Sequence, residues 1–365
     1  MTKKDTVNFE ASLKKLEQIV GKLEDGDISL EDSVKSFEEG IGLVKECQKQ
    51  LSEAELKVKK LLDNGETVDL KDYIQSMPSS FLSECKQKVL NRIKSLLIDD
   101  DKVTTSMRYS ALADSKCIRA GLVFASGKLE GQLDEAGLID IATSIELMHT
   151  YSLIHDDLPA MDDDGMRRGQ ASNHIKFNEA TAILAGDALQ ALAFETIASS
   201  RGMADTHKVE AIRMLAVACG HQGMILGQQY DLDAEKNELL NIELIHSLKT
   251  AKLIQVALTM PYLGNQKNKE IQLLLNNLGR NIGLAFQIMD DVLEISSDSV
   301  TLGKSNLSDI TNKKMTYVSV YGVEASIKKA KELSNFCITQ MEKNFKQEQA
   351  KELIELTYFM VSRTN

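Results

Sequence analysis

The chain is 365 residues long, 43% hydrophobic and 27% charged, with a formal net charge of −11. That apolar content supports a sizeable core, and the length fits two or three domains at roughly 100–200 residues each. Three prolines, no tryptophan and 5% aromatic residues argue against an all-β protein and for long helices, and the acidic balance makes the whole chain a poor polyanion binder.

The first predicted element is a helical hairpin. Phe9, Leu13, Leu16, Val20 and Leu23 recur at spacings of 4, 3, 4 and 3, the stripe of a narrow helix–helix seam. Gly26 interrupts the stripe, and Ser29 with Asp32 offers a new helix start. The stripe resumes at Leu30, Val34, Phe37, Ile41 and Val44 and runs through Leu51, Val58 and Leu62. A hairpin of this size buries too little surface to stand alone, so a partner is implied. Residues 1–69 hold 11 lysines against 16 acidic residues, which argues against direct nucleic-acid binding. Periodicity alone also fits a plain dimerising or spacer hairpin. Asn64 and Gly65 end the second helix, and 66–77 is read as a linker.

From about Leu70 nearly every segment reads as helix, with spans at Phe81–Leu97, Leu138–His155, Ala180–Ile197, Val209–Leu226, Ile242–Thr259 and Leu273–Leu293. Two acidic clusters end apolar helices. The first is Asp156-Asp157, followed by Asp162-Asp163-Asp164 and then Arg167-Arg168; the second is Asp290-Asp291 with Glu294, preceded by Gln287. Either alone fits a solvated turn. Carboxylates at the ends of apolar helices are costly without a cation, and Mg²⁺ takes a few carboxylates plus phosphate oxygens. Asp290 and Glu294, four apart, share a helix face. Asp156 and Asp162, six apart, converge only if the chain bulges around Pro159. Lys116, Arg119, Arg167, Arg168, Lys249 and Lys304 supply the cations a diphosphate needs.

The five cysteines are scattered, with no C-x-x-C spacing, which excludes a zinc ribbon and argues against a disulfide framework. No apolar stretch follows Met1, and no run of about 18 apolar residues occurs. A cytoplasmic protein without a membrane span is therefore expected.

Two resemblances sharpen these readings. FEASLKKLEQIV at 9–20, LEDGD at 23–27, Leu30-Glu31, and Phe37 to Gly40 resemble the small subunit of bacterial exonuclease VII over residues 3–65. The resemblance implies a non-catalytic subunit that packs its seam against a separate large subunit. From about 72 to 363 the chain resembles trans-isoprenyl diphosphate synthases of the bacterial farnesyl type. The residues that carry this are IELMHTYSLIHDDLPAMDDD at 145–164, AILAGDAL at 182–189, Lys249-Thr250 and GLAFQIMDD at 283–291. The implied whole is all-α: a coiled-coil-like hairpin at 1–65, a linker at 66–77 and an isoprenoid synthase-type helical bundle at 78–365, expected to pair with a second copy as a homodimer.

The second resemblance also implies roles. Asp156, Asp162 and Asp290 would ligate Mg²⁺, supported by Asp157, Asp291 and Glu294. Arg167, Lys249, Thr250, Gln287 and Lys304 would surround an allylic diphosphate. Lys116, Arg119, His149 and Arg168 would hold isopentenyl diphosphate, and Tyr151 would floor the prenyl pocket for a C15 product. The chain departs from the family at three places. Asp114-Ser115 stands for Gly-Gly before Lys116, Glu294 for a last Asp, and Lys313-Lys314-Met315-Thr316 for Gly-Lys-(Ser/Thr)-Thr. A rival reading follows from these: a decayed synthase dimer serving only as a scaffold for the hairpin.

Overall fold

The computed structural model describes residues 70–129, 133–234, 241–263, 269–301 and 315–362. The hairpin expected over 1–65 lies outside them, as do Lys304, Lys313 and Lys314. The described chain begins with α1 (Leu70–Leu96), so its first residues are helical where a linker was expected. Next come α2 (Lys102–Ala111), α3 (Ile118–Gly127) and α4 (Glu135–Asp156). A two-residue antiparallel ladder follows, β1 (Met166–Arg167) with β2 (Gln170–Ala171), in register Arg167 to Gln170. Then come α5 (Asn173–Phe177), α6 (Glu179–Ala198), α7 (Asp205–Cys219) and α8 (Met224–Ala234). The remaining helices are α9 (Ile242–His246), α10 (Lys252–Thr259), α11 (Lys269–Thr301), α12 (Tyr317–Tyr321), α13 (Val323–Asn344) and α14 (Gln347–Ser362).

Side-chain caps set several of these boundaries. Asp101 accepts from the amides of Val103 and Thr104 at 2.9 Å, and Asp134 accepts from Gly137 at 2.8 Å. Thr316 and Ser319 form a reciprocal capping box at the start of α12. Each such cap contributes about 0.5–2 kcal/mol.

Two expected helices depart from a regular α-helix. The span read as Val209–Leu226 breaks between α7 and α8, where the Gly223 amide donates to the Gly220 carbonyl at 3.0 Å. The apolar pattern runs on through this turn, so periodicity alone does not show it. The span read as Ile242–Thr259 is continuous but contains a π-helical turn, Ser247–Ala251, joining α9 to α10. Such turns are local registers set by packing and cluster at functional sites.

The core is built round α4, which is apolar on nearly every side, as a helix surrounded by others must be. Its Ile141, Ile145, Leu147 and Met148 pack with Leu122 of α3 and Leu189 and Ile197 of α6, all fully buried. Each is worth about 1.5–3 kcal/mol. α6 is by length and composition apolar enough to cross a membrane, although no unbroken apolar run occurs in it. Its Ala182, Ala185, Leu189, Ala193 and Ile197 are buried within the core, and α4 is its main neighbour. A smaller cluster of Ile242, Ile245, Leu284, Ile288, Tyr317 and Val318 joins α9, α11 and α12, and so fixes the surroundings of the second acidic motif.

Candidate active site

The first acidic motif forms where α4 runs out. Asp156 is its last residue, and the chain then doubles back through Leu158 to Asp163. The Asp162 amide donates to the Asp156 carbonyl at 2.9 Å. That bond brings together the two residues that a regular helix would have held apart. Asp157 turns inward and is 2% exposed. Arg167 of β1 donates to it twice, once from Nε at 2.8 Å and again from a terminal nitrogen, and also reaches Asp164 at 2.9 Å. Burial pushes the Asp157 carboxyl up, and Arg167 opposes that shift.

A basic and amide group closes over this motif. Gly227 of α8 packs so tightly on the π turn that a Cβ there would lie 2.2 Å from the Lys249 backbone nitrogen. The close approach sets Lys249 Nζ 2.7 Å from Asp231 and 3.7 Å from Asp156. Gln228 Nε2 donates to the same Asp156 oxygen at 2.5 Å. Gln228 and Asp231 were not singled out from the sequence. Their signal is a glycine followed by two polar side chains at i and i+3 inside an apolar helix.

The second motif stays helical. Asp290 is half-buried, Glu294 is exposed, and Asp291 is buried. Gln287 Nε2 donates to Asp291 at 3.1 Å, and the Thr250 hydroxyl donates to Gln287 at 2.6 Å. Thr250 and Gln287, assigned to one ligand by sequence, are thus direct neighbours.

Of the residues expected to hold isopentenyl diphosphate, Lys116 precedes α3, Arg119 lies in its first turn, His149 is on α4 and Arg168 follows β1. Cys117 opens α3 in the left-handed region, φ 47°, between Lys116 and Arg119. Lys116 Nζ lies 5.5 Å from the centre of the Phe359 ring. Glu146, one turn before His149, is buried and accepts from the Ala120 amide at 3.0 Å. Burial pushes its carboxyl up against the pull of Arg119. Burial holds the His149 imidazole well below its usual range, and the positive fields of Arg119, Arg168 and Arg167 act the same way. His149 is therefore neutral at physiological pH. Asp114 is exposed and bonds to Lys86 of α1 at 2.5 Å.

Tyr151 lies deeper in the core and meets the His155 ring edge-on at 5.6 Å. Burial pushes its hydroxyl up to about 12, and Gln190 of α6 bonds to it. Gly186 makes space for His155, since a Cβ there would sit 2.1 Å from Nε2.

Among the described residues no three His, Cys, Asp or Glu side chains come close enough to hold a metal by themselves. The paired Asp156 and Asp162 still fit Mg²⁺, which binds hard oxygens through one or two carboxylates and completes its shell with substrate phosphate and water.

Comparison with known proteins bears on the family and the fold. The polyprenyl synthetase family matches residues 100–357, and the exonuclease VII small subunit family matches residues 9–60. Farnesyl diphosphate synthase of Escherichia coli is 41% identical over 257 residues, covering 69% of this chain and 86% of that protein. The enzyme of the same name from Haemophilus influenzae is 41% identical over 242 residues, covering 65% and 82%. Among solved structures, the geranyltransferase of Legionella pneumophila superposes with a TM-score of 0.70 at 31% identity, over 80% of this chain and 99% of that one. A Helicobacter pylori geranyltransferase complexed with magnesium and isoprenyl diphosphate gives 0.68 at 28%, over 82% and 100%. The chain thus belongs to the polyprenyl synthetase family, as a prenyltransferase of the farnesyl and geranylgeranyl diphosphate synthase type that carries an exonuclease VII small-subunit segment ahead of its synthase.

Proposed function

We propose that residues 78–365 condense isopentenyl diphosphate with dimethylallyl or geranyl diphosphate to give farnesyl diphosphate, with Mg²⁺ as cofactor. The observation that carries this is the closure of Gln228, and of Lys249 held by Asp231, onto Asp156, with Asp162 folded back beside it. Asp156, Asp162 and Asp290 are the residues that would hold the metal, and bound Mg²⁺ would neutralise charge on the leaving diphosphate.

Lys249, Arg167, Thr250 and Gln287 would bind the allylic diphosphate, with Lys304 as a further cation. One cation 4 Å from one negative charge contributes about 4 kcal/mol at an effective dielectric near 20. Several together favour breaking the allylic C1–O bond, whose electron pair leaves with the diphosphate. Lys116, Arg119, neutral His149 and Arg168 would orient isopentenyl diphosphate so that its double bond attacks C1. The proton then lost from the isopentenyl C2 goes to the released diphosphate. The buried Leu, Met and Phe side chains of the bundle keep water from the allylic cation. Tyr151, beneath His155, would limit chain growth to C15.

Condensation of radiolabelled isopentenyl diphosphate, with and without EDTA, tests this. Mg²⁺-dependent C15 product supports it, and a folded protein with no turnover supports the scaffold reading.

For residues 1–65 we propose docking on the large subunit of exonuclease VII, in the cytoplasm and without direct nucleic-acid contact; the synthase part would pair as a homodimer. The apolar stripe at Phe9, Leu16, Val20, Val34, Phe37, Ile41 and Val44, more than two short helices can cover between them, supports docking. Phe37→Asp should abolish co-purification with that subunit and leave prenyl transfer unchanged.

A further inference from the structure

Each acidic motif begins with two adjacent aspartates, and in the second motif the two sit in different surroundings. Asp290 is half-buried, whereas Asp291 is 4% exposed. Both Asp291 oxygens face groups of the protein. Oδ2 accepts the Tyr317 backbone amide at 2.6 Å, and His246 Nε2 lies 3.4 Å from that oxygen. Oδ1 accepts Gln287 Nε2 at 3.1 Å, and Gln287 in turn accepts the Thr250 hydroxyl at 2.6 Å. The Tyr317 side chain tightens the same junction. Its hydroxyl donates to Glu243 at 3.0 Å, and its ring stacks on His246 with centroids 6.3 Å apart.

We infer that Asp291 is a positioning residue whose carboxylate ties α9, the π turn, α11 and α12 together and so fixes Thr250 and Gln287. Turning this carboxylate outward to a metal would strand the buried Tyr317 amide and undo the Gln287–Thr250 chain. Asp157 of the first motif shows the same division: it is 2% exposed and held by Arg167. The inference rests on the proposed reading of Thr250 and Gln287 as groups that bind the allylic diphosphate.

Asparagine separates positioning from metal ligation. Its carbonyl accepts the Tyr317 amide, and its NH₂ donates to a Gln287 amide turned end for end, which then donates to Thr250. The hydrogen bonds survive while the charge is lost. The test uses the full chain and two readouts, steady-state condensation and thermal stabilisation by inorganic diphosphate titrated with Mg²⁺. Asp291→Asn should keep kcat within about threefold of the parent and leave the Mg²⁺ midpoint of stabilisation unmoved. Asp291→Ala should lower kcat by about 10–100-fold and raise the allylic KM, again at an unmoved midpoint. Asp290→Asn should move the midpoint to higher Mg²⁺.

An Asp291→Asn midpoint displaced as far as that of Asp290→Asn overturns the inference. So does an Asn variant as slow as the Ala variant. If Asp291→Ala does not fold, the Asp291→Asn midpoint and kcat decide alone. If Asp290→Asn leaves the midpoint unmoved, the metal assignment fails, and the rescue by asparagine still decides the role of Asp291.

Discussion

The two acidic motifs open with the same pair of aspartates in opposite backbone settings. The first lies where α4 ends, and a turn brings Asp162 back to Asp156. The second lies inside α11, which runs on for ten residues beyond Asp291 to Thr301. One motif gains its geometry by leaving the helix, the other by staying in it. In both, the leading aspartate is half-buried and the following one is buried against protein partners. Backbone setting and packing, not the residue pair, divide the labour between them.

The largest effect should come from the leading positions. Asp156→Ala or Asp290→Ala should lower condensation by about 10³-fold with helical content unchanged, in the range seen when one preorganised electrostatic group is removed. Circular dichroism and a radiolabel assay check this together. Activity within a few-fold of the parent for either variant would break the equivalence of the two leading aspartates.

The helices that lead into the motifs differ as well. Five residues before Asp156 stands Tyr151, a buried ring; five before Asp290 stands Ala285. A prenyl chain should therefore be stopped beneath the first motif. Tyr151→Ala should move the main product from C15 to C20 or longer, read by chromatography of the dephosphorylated alcohols. An unchanged distribution would place the floor elsewhere.

Much of this was legible in the sequence, and the gaps have a common cause. The run from Ile145 to Asp164 announces the first motif, and the spacing of Asp156 and Asp162 already demands a bulge at Pro159. Lys249 stands out by its charge, and Thr250 and Gln287 only through the resemblance to the synthases. What was not legible depends on long-range packing. The Tyr317 amide meets Asp291 across 26 residues, and the π turn that presents Lys249 depends on Gly227 of another helix. Hydrophobic period is a local signal. It ran across the break at Gly220–Gly223 and missed Gln228 and Asp231, whose meaning comes from Asp156 and Lys249.

Acid sensitivity should have a source beside each motif. α4 carries Glu146 and His149 on its way to Asp156, and the buried His246, whose imidazole burial pushes down to about 4, lies 3.4 Å from Asp291 of the second motif. The half-buried His149 stays neutral when folded and takes up a proton near pH 6.5 when unfolded. The unfolded chain then binds more protons, so stability is complete above pH 6.5 and declines as pH falls below it. His149→Asn should flatten that decline by up to about 1.4 kcal/mol per pH unit, read from urea unfolding between pH 6.5 and 5. An equally steep decline would move the acid-sensitive group away from the first motif's helix.

The smallest effect is expected where a charge lies outside both motifs. By the resemblance Asp114 stands in place of a glycine, and its carboxylate adds negative charge near the proposed isopentenyl diphosphate site. It is 92% exposed on its side chain and bonded to Lys86 at 2.5 Å. That bond holds the Asp114 carboxyl below its usual range, and the field of Arg168 adds to the shift. The carboxylate is thus charged but screened, by its partner and by water. Replacing Asp114 and Ser115 with glycine should lower the KM for isopentenyl diphosphate by only about two- to threefold at low salt and leave the allylic KM unchanged. Lys86→Met should act in the opposite direction, because it exposes the carboxylate without removing it, and Asp114→Asn in that background should restore the parent value. Both shifts should shrink at 0.5 M salt, where the Debye length falls to roughly 4 Å. A KM that ignores Lys86 but follows Asp114 would show that the two charges do not act as a pair at this site.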